Sequence, residues 1–286
     1  MPVAVVTDST AYLPDGLTEH HRIRVVPLHV SVDGVARLDG VDFSVTDLVA
    51  ALERHAAVQT SGPTPGEFAV TYTAALDEGA EAVVSVHLSR ALSGTWEAAR
   101  LAAEQIGPDR IRVVDSLSAG MGLGFAALAA AIEAQAGADC DVVYAAAARV
   151  AARTHTFFSV DTLEHLRRGG RISSASALLG TALAVKPLLH VAGGRIVPLE
   201  KVRTASRARA RLVELAVQAA GKEQVDVAVH HLGAAERAAE LVERLHERLP
   251  KLGECLVSEV GAAISAHCGP GVLGAVVLPD GLPRRS

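Results

Sequence analysis

Aromatic side chains are scarce in this chain, at 3% of 286 residues with a single Trp. Half of the residues are nevertheless apolar, so the interior must be filled by Ala, Val and Leu. Cysteine is almost missing too. Cys140, Cys255 and Cys268 are odd in number and show no CxxC spacing, which excludes a disulfide framework and a zinc knuckle and fits a reducing compartment. Nor is there a surplus of positive charge: 27 Lys and Arg stand against 32 Asp and Glu, a formal net charge of −5, so no nucleic-acid partner is expected. The start, Met1-Pro2-Val3-Ala4-Val5-Val6-Thr7-Asp8, lacks the basic opening and cleavage pattern of a signal peptide. The longest apolar run, Ala119 to Ile132, falls short of the ~20 residues that span a bilayer and carries three glycines. The expectation is a soluble, cytoplasmic protein with no stable membrane insertion.

What is present is an alternation of strands and helices. Val3–Val6 is an apolar run opening onto Thr7-Asp8-Ser9-Thr10, as a buried strand does when it runs into a polar loop. Arg24 to Val32 reads as a second strand, and Asp33-Gly34 as a hairpin turn leading back through Val35 and Arg37. Ser44-Val45-Thr46-Asp47 is an N-cap pattern for a helix over Val45–His55. Thr60-Ser61-Gly62-Pro63-Thr64-Pro65 breaks regular structure, and Pro65 suits the first turn of a helix reaching about Asp77. Glu81–Val86 reads as a strand, Thr95–Ile106 as a helix, Ile111–Val114 as a strand and Ala119–Ala136 as a helix. This order predicts a mostly parallel sheet flanked by helices. The loops Thr7–Thr10, Ser89–Thr95 and Asp115–Ser118 should then crowd the strand C-terminal edge, where such sheets gather ligands.

After Ala152 the texture changes. Thr154–Val160 is strand-like, and Asp161 is placed to cap a short helix ending in Arg167-Arg168-Gly169-Gly170-Arg171. Ala175–Val185 is rich in Ala and Leu, and Val185–Val191 and Arg195–Lys201 flank a Gly193-Gly194 hairpin signal. Helices over Ser206–Ala219 and Ala234–Leu249 then alternate with strands over Val225–His230, Cys255–Val260 and Val272–Leu278. A hairpin among these elements implies a mixed sheet. The fold class is α/β, with two α/β domains, residues 1–153 and 154–286.

Ser93-Gly94-Thr95 sits where a strand hands over to a helix start, with free backbone N–H groups and two hydroxyls together, a place to hold an anion. Ser93 as the nucleophile of an esterase or acyltransferase would need Gly-x-Ser-x-Gly, and its flanks are Ala91 and Thr95. Gly120-Met121-Gly122-Leu123-Gly124 resembles a dinucleotide loop whose third glycine comes one residue early; close helix packing accounts for these glycines better than an NAD(P) site. The adjacent pairs His20-His21 and His230-His231 cannot each aim two ligands at one metal, and no metal site is expected. His267, near the end of a short helix, can donate a hydrogen bond to a buried anion or can simply end that helix. Arg167, Arg168 and Arg171 with Lys201, Arg203 and Arg207 are conspicuous in an acidic chain, though a solvated face also explains them.

Taken together, Thr7-Asp8-Ser9-Thr10-Ala11-Tyr12-Leu13-Pro14, Thr60-Ser61-Gly62-Pro63-Thr64-Pro65, Leu92-Ser93-Gly94-Thr95, Val114-Asp115-Ser116, Gly169-Gly170-Arg171-Ile172-Ser173, Lys186-Pro187, Lys201-Val202-Arg203 and His267-Cys268-Gly269-Pro270-Gly271 resemble the DegV family of bacterial fatty-acid-binding proteins. The resemblance runs in family order over nearly the whole chain. It implies two α/β domains with a fatty acid in a tunnel between them. It also implies a carboxylate held by Thr60 and/or Ser61, by Ser93 at the Gly94 turn, and by His267. The family's role further implies a lipid-binding subunit without stand-alone catalysis and without a cofactor. That subunit presents its acyl chain to a separate ATP-binding kinase subunit, which makes an acyl-phosphate for phospholipid metabolism. Arg171, Lys201 and Arg203 would dock that partner. Three features depart from the family pattern: Gly62 where Gln is frequent, Thr64 where Ser is, and Ser89-Arg90-Ala91-Leu92 where Ser-Ser-Gly-Leu is common. Arg90 could thus add a cation near the headgroup.

Overall fold

The computed structural model describes residues 2–54, 56–172 and 185–283. In chain order its first half runs β1 (Val3–Asp8), a 3-10 turn (Ser9–Ala11), α1 (Leu17–His20), β2 (Ile23–Val26), β3 (His29–Val32), β4 (Val35–Leu38), α2 (Val45–Glu53) and β5 (Val58–Ser61). It continues with α3 (Pro65–Asp77), β6 (Ala82–His87), α4 (Thr95–Ile106), β7 (Ile111–Asp115), α5 (Met121–Gln135) and α6 (Cys140–Arg153). The second half is β8 (His155–Ser159), α7 (Glu164–Arg168), β9 (Lys186–Ala192), β10 (Arg195–Val202), α8 (Ala205–Ala220), β11 (Val225–His231), α9 (Ala235–Arg248), β12 (Leu252–Glu259), α10 (Ala262–Cys268) and β13 (Leu273–Pro279).

The fold is α/β. Strands β2-β1-β6-β7 form a parallel sheet. Of its two inner strands, β6 is buried at every position, the polar Ser85 and His87 included, as a strand covered on both faces is. The second large sheet, β10-β9-β8-β13-β11-β12, is mixed: β11 and β12 run parallel and the other neighbours antiparallel. Helix α5 lies between the two. From Met121 to Ala131 every residue is buried, and its core takes in Val84 and Val114 from the parallel sheet as well as Ala228 and Val276 from the mixed one. A helix apolar on all sides belongs inside a protein, and small residues let two sheets close on it. No helix among the described residues is long and apolar enough to cross a membrane.

Several sequence expectations need correction. The strand expected over Arg24–Val32 is two strands in two sheets. β2 pairs with β1, while β3 joins a three-stranded antiparallel sheet, β4-β3-β5. Pro27 lies between them, where a residue without an N–H cannot continue a ladder. The Thr60–Pro65 stretch is regular up to Ser61, because β5 pairs with β3; only then do the prolines break it. Asp161 does not cap α7. Its carboxylate instead pairs with Lys186 at 2.6 Å, and Thr162 Oγ1 takes the Glu164 N–H at 3.2 Å. Ser173 and most of the Ala175–Val185 stretch lie outside the described residues.

Candidate functional site

Three loops at the C-terminal edge of the parallel sheet are tied together by their backbones. Ser89 N–H bonds Ser118 O at 2.8 Å, Ser116 N–H bonds His87 O at 3.0 Å and Gly120 N–H bonds Thr10 O at 2.8 Å. Behind them lies a fully buried polar chain. Asp8 Oδ2 is 3.0 Å from His87 Nδ1 and takes the Leu88 N–H at 3.0 Å. His87 Nε2 is 2.6 Å from Ser85 Oγ, which accepts Tyr72 OH at 2.8 Å. Thr10 gives both its N–H and its hydroxyl to Asp8 Oδ1. Low-dielectric surroundings make such saturated networks rigid, so Asp8 fixes where the Leu88–Thr95 loop leaves its strand.

That loop ends in Ser93 and the Gly94 N-cap of α4. Ser93 Oγ is 2.9 Å from Thr95 Oγ1 and accepts the Thr95 N–H at 3.3 Å. Across from it, β5 carries Thr60 and Ser61, registered against Val30 and His29. The following helix is fastened by a capping box, in which Thr64 N–H bonds Glu67 at 2.7 Å and Glu67 N–H bonds Thr64 Oγ1 at 3.3 Å. Glu67 also pairs with His29 at 3.0 Å. Gly62 sits between the two elements, where a Cβ would come 2.7 Å from Thr95 Oγ1. A longer residue there would displace the Thr95 hydroxyl, so the glycine lets the two elements approach this closely with that hydroxyl where it stands.

The third contribution comes from the far end of the chain. His267, in the last turn of α10, places Nε2 2.7 Å from Thr60 Oγ1. Burial, then the nearby Arg171 cation, pushes this histidine down to about 4, so at neutral pH it is an uncharged imidazole. Gly169 makes room for it, since a Cβ there would meet His267 Nδ1 at 2.3 Å. Arg171 donates from Nε to Leu92 O at 3.2 Å and from Nη1 to Gly169 O.

Thr60, Ser61, Gly62, Ser93, His267 and Arg171 all line one cavity. Its remaining walls are mainly aliphatic, including Leu28, Leu88, Leu166, Val191, Ile196 and Val260. Thus residues separated by more than two hundred positions meet at one polar end of an apolar space. Gly94 shapes the α4 start beside it. Lys201 and Arg203 are on and just after β10 and do not join the lining. Arg90 does not join it either: it pairs with Asp115 at 3.3 Å and lies over the Trp96 ring at 5.5 Å.

The alternative chemistries fare poorly in this geometry. Ser93 is paired with Thr95, and the imidazole at this end bonds Thr60 instead. The arrangement with Asp–His–Ser connectivity is Asp8–His87–Ser85, and all three are fully buried, out of reach of any ester. At Gly120–Gly124 the α5 start is already occupied, because Met121 N–H bonds His230 Nε2 at 2.7 Å. Gly122 and Gly124 pack tightly, with a Cβ at 2.0 Å from Ser118 Oγ and 2.6 Å from Met121 Sδ respectively. Among the described residues no three His, Cys, Asp or Glu side chains gather as a metal site.

Sequence reading missed the Asp8 network and the Tyr12–Asp39 pair. Tyr12 OH donates to Asp39 at 2.9 Å and accepts Ile264 N–H at 3.2 Å, while Asp39 takes Ala263 N–H at 3.3 Å. Together they hold the start of α10, whose other end carries His267. Adjacent polar letters hinted at the loops, but no local signal links residues so far apart.

Comparison with known proteins agrees with this architecture. The family model described as "Uncharacterised protein, DegV family" matches residues 2–280. A DegV domain-containing protein of Streptomyces coelicolor is 54% identical over 275 residues, covering 96% of this chain and 98% of the relative. Among solved structures, one described as fatty acid binding of a DegV family protein from Thermus thermophilus superposes with a TM-score of 0.92 at 36% identity, covering 98% of this chain and 100% of the other. DegV of Bacillus subtilis, described as a fatty acid binding protein, superposes at 0.87 with 35% identity, over 97% of this chain and 99% of its own. The chain belongs to the DegV family.

Proposed function

We propose that this protein binds a long-chain fatty acid in the cavity between its two large sheets and presents the carboxylate to a separate ATP-dependent kinase. One observation carries the reading: hydroxyls of Thr60, Ser61 and Ser93, with a neutral imidazole behind Thr60, line a space whose other walls are mainly apolar. The solved relatives described as fatty acid binding support it. The division into domains 1–153 and 154–286 falls between α6 and β8, and the cavity is then the seam between them.

Energetics divide the labour. Each buried methylene contributes about 0.8 kcal/mol, so ~14 of them give roughly 11 kcal/mol gross. Hydrogen bonds to a carboxylate add about 1.5–3 kcal/mol each, less its desolvation. The tail therefore supplies affinity and the polar end supplies orientation. Thr95 and His267 act as backing groups: when Thr95 O–H and His267 Nε2–H donate inward, the Ser93 and Thr60 hydroxyls are free to donate to the carboxylate. Arg171, beside His267, supplies the positive charge at this end. In the kinase step a carboxylate oxygen attacks the γ-phosphorus of ATP, the new O–P bond forms, the bond to the β-phosphate oxygen breaks and ADP leaves. The chain performs no chemistry itself in this reading. It excludes water from the tail and aims the nucleophile, and it needs no cofactor. Arg171 serves the docking face along with Lys201 and Arg203, and the pair works in the cytoplasm.

Denaturing extraction of the purified protein followed by mass spectrometry tests the binding claim. A stoichiometric long-chain fatty acid is expected. A lipid-free protein that also fails to take up added fatty acid contradicts it. Reconstitution with a cognate kinase and labelled ATP tests presentation, and Ser93→Ala should lower acyl-phosphate formation with the fold retained.

A further inference from the structure

Gly274 lies inside β13, a central strand, between β8 and β11. It is registered against Phe158 on one side and His230 on the other. Residues directly opposite in antiparallel strands show their side chains on the same face. Phe158, Gly274 and His230 therefore form a row across the mixed sheet, and all three line the cavity. Two residues along, the next row on that face holds Thr156 and Val276, which line it as well.

A glycine inside a central strand weakens it, and its usual reasons are a bulge or the close approach of a ligand or backbone. Here the pairing of β13 with β8 and β11 is regular through this position, so there is no bulge, and the backbone is not left-handed. What the position requires is space. A Cβ would stand 3.2 Å from Phe157 O, 3.2 Å from Phe158 Cβ and 3.8 Å from His230 Cβ. It would thus fill the gap between two cavity-lining side chains. His230 cannot swing aside, because Nε2 takes Met121 N–H at 2.7 Å and Nδ1 lies 3.2 Å from Ser258 O. Gly120 opposite, at φ +62, is itself bare to admit that ring.

Direction follows from the strand. Val272, Gly274 and Val276 step away from α10, which carries His267, by about 6.8 Å per pair of residues. A chain whose carboxylate lies at His267 and whose tail follows β13 crosses Gly274 before it reaches Val276 and Thr156.

We propose that Gly274 sets the acyl-chain length this protein accepts, its missing side chain being the slot between Phe158 and His230 through which the tail reaches the far end of the cavity. The proposal rests on the fatty-acid reading above. The test uses the delipidated full-length protein and a ladder of saturated fatty acids of increasing length, with affinity measured for wild type, Gly274→Ala and Val276→Ala and folding checked by thermal unfolding. In Gly274→Ala, affinity should stop rising beyond the length that reaches residue 274, a loss of about fourfold for each methylene excluded, with shorter acids unaffected. In Val276→Ala, which widens the space beyond the slot, the optimum should move to longer acids. A folded Gly274→Ala with the wild-type length profile overturns the proposal. If that variant does not fold, an unchanged optimum in Val276→Ala overturns it instead. A wild type that binds no acid of any length overturns the fatty-acid reading itself, an outcome distinct from binding with an unaltered profile.

Discussion

His230 and His267 line the same cavity, and burial brings both down to about 4, yet their nitrogens have different partners. His230 spends both on backbone groups, the Met121 N–H and the Ser258 carbonyl. These groups belong to α5 and β12, so the ring pins the mixed sheet to the central helix. His267 offers Nε2 to a side-chain hydroxyl, Thr60, at the polar end. One ring is a wall and the other, in the proposed reading, backs a ligand contact. Sequence neighbourhood alone does not separate them; the partner on each nitrogen does.

The largest expected effect breaks the wall. His230→Ala leaves the Met121 N–H buried without a partner and opens a hole in the seam, and should cost about 3–5 kcal/mol in denaturant unfolding. His267→Ala, nearer the surface, should cost less than half of that while weakening fatty-acid binding more. A comparable stability loss in both would erase the distinction.

The second effect is on pH. A histidine whose folded pKa is depressed binds fewer protons folded than unfolded between the two values, so stability rises with pH across that window. For His230 the window runs from about 4 to the ordinary 6.5, and acidification through it should remove about 3 kcal/mol at roughly 1.4 kcal/mol per unit. Below about 4 the contribution is fully lost. His267 acts in the same direction. Unfolding curves at stepped pH should show a shallower slope in a His230→Gln variant that still folds, with the share of His267 remaining. Fatty-acid affinity tells the other half: because His267 is already neutral, it should show no step near pH 6.5 from loss of an imidazolium.

Next in size is Ser93→Ala. Losing one hydroxyl donor to a carboxylate should cost about 1.5–3 kcal/mol, or roughly 10- to 150-fold in affinity, with little change in unfolding. The smallest effect expected is from Tyr12→Phe, which loosens the start of α10. It should cost about 1 kcal/mol of stability and blunt ligand orientation rather than tail binding. Burial raises Asp39 against the hydrogen bonds from Ser9 and Tyr12, so removing the Tyr12 hydroxyl should raise it further, readable by carboxyl NMR.

Much of the fold was legible because local signals agree with tertiary burial. Ser44 and Asp47 form the capping box that their spacing suggests, Pro65 opens α3, and Gly193-Gly194 turns the β9–β10 hairpin. Where tertiary pairing decides, local reading fails. Nothing near Thr60 and Ser61 says that β3 will claim them as a strand, and nothing near Arg24 says that Pro27 will divide one apolar run between two sheets. Resemblance names Thr60, Ser61, Ser93 and His267 together, and they line one cavity. The supports of these residues were not legible: Asp8 and His87 are 79 positions apart, and Tyr12 and Ile264 are 252 apart. For Arg171 the resemblance implies a docking role, and no local signal places its guanidinium on Leu92 O and Gly169 O, close to His267. The imidazole beside it needs the bare Gly169, whose Cβ would meet His267 Nδ1 at 2.3 Å.

The central claim is that a fatty acid lies with its carboxylate among Thr60, Ser93 and His267. Carbon NMR of carboxyl-labelled palmitate bound to the wild-type protein and to single Thr60→Ala, Ser93→Ala and His267→Ala variants tests it most directly. One bound carboxyl resonance is expected, displaced in each of the three variants and unmoved in a control, His246→Ala, on the far helix α9. A bound resonance that stays in place in all three variants would contradict the account.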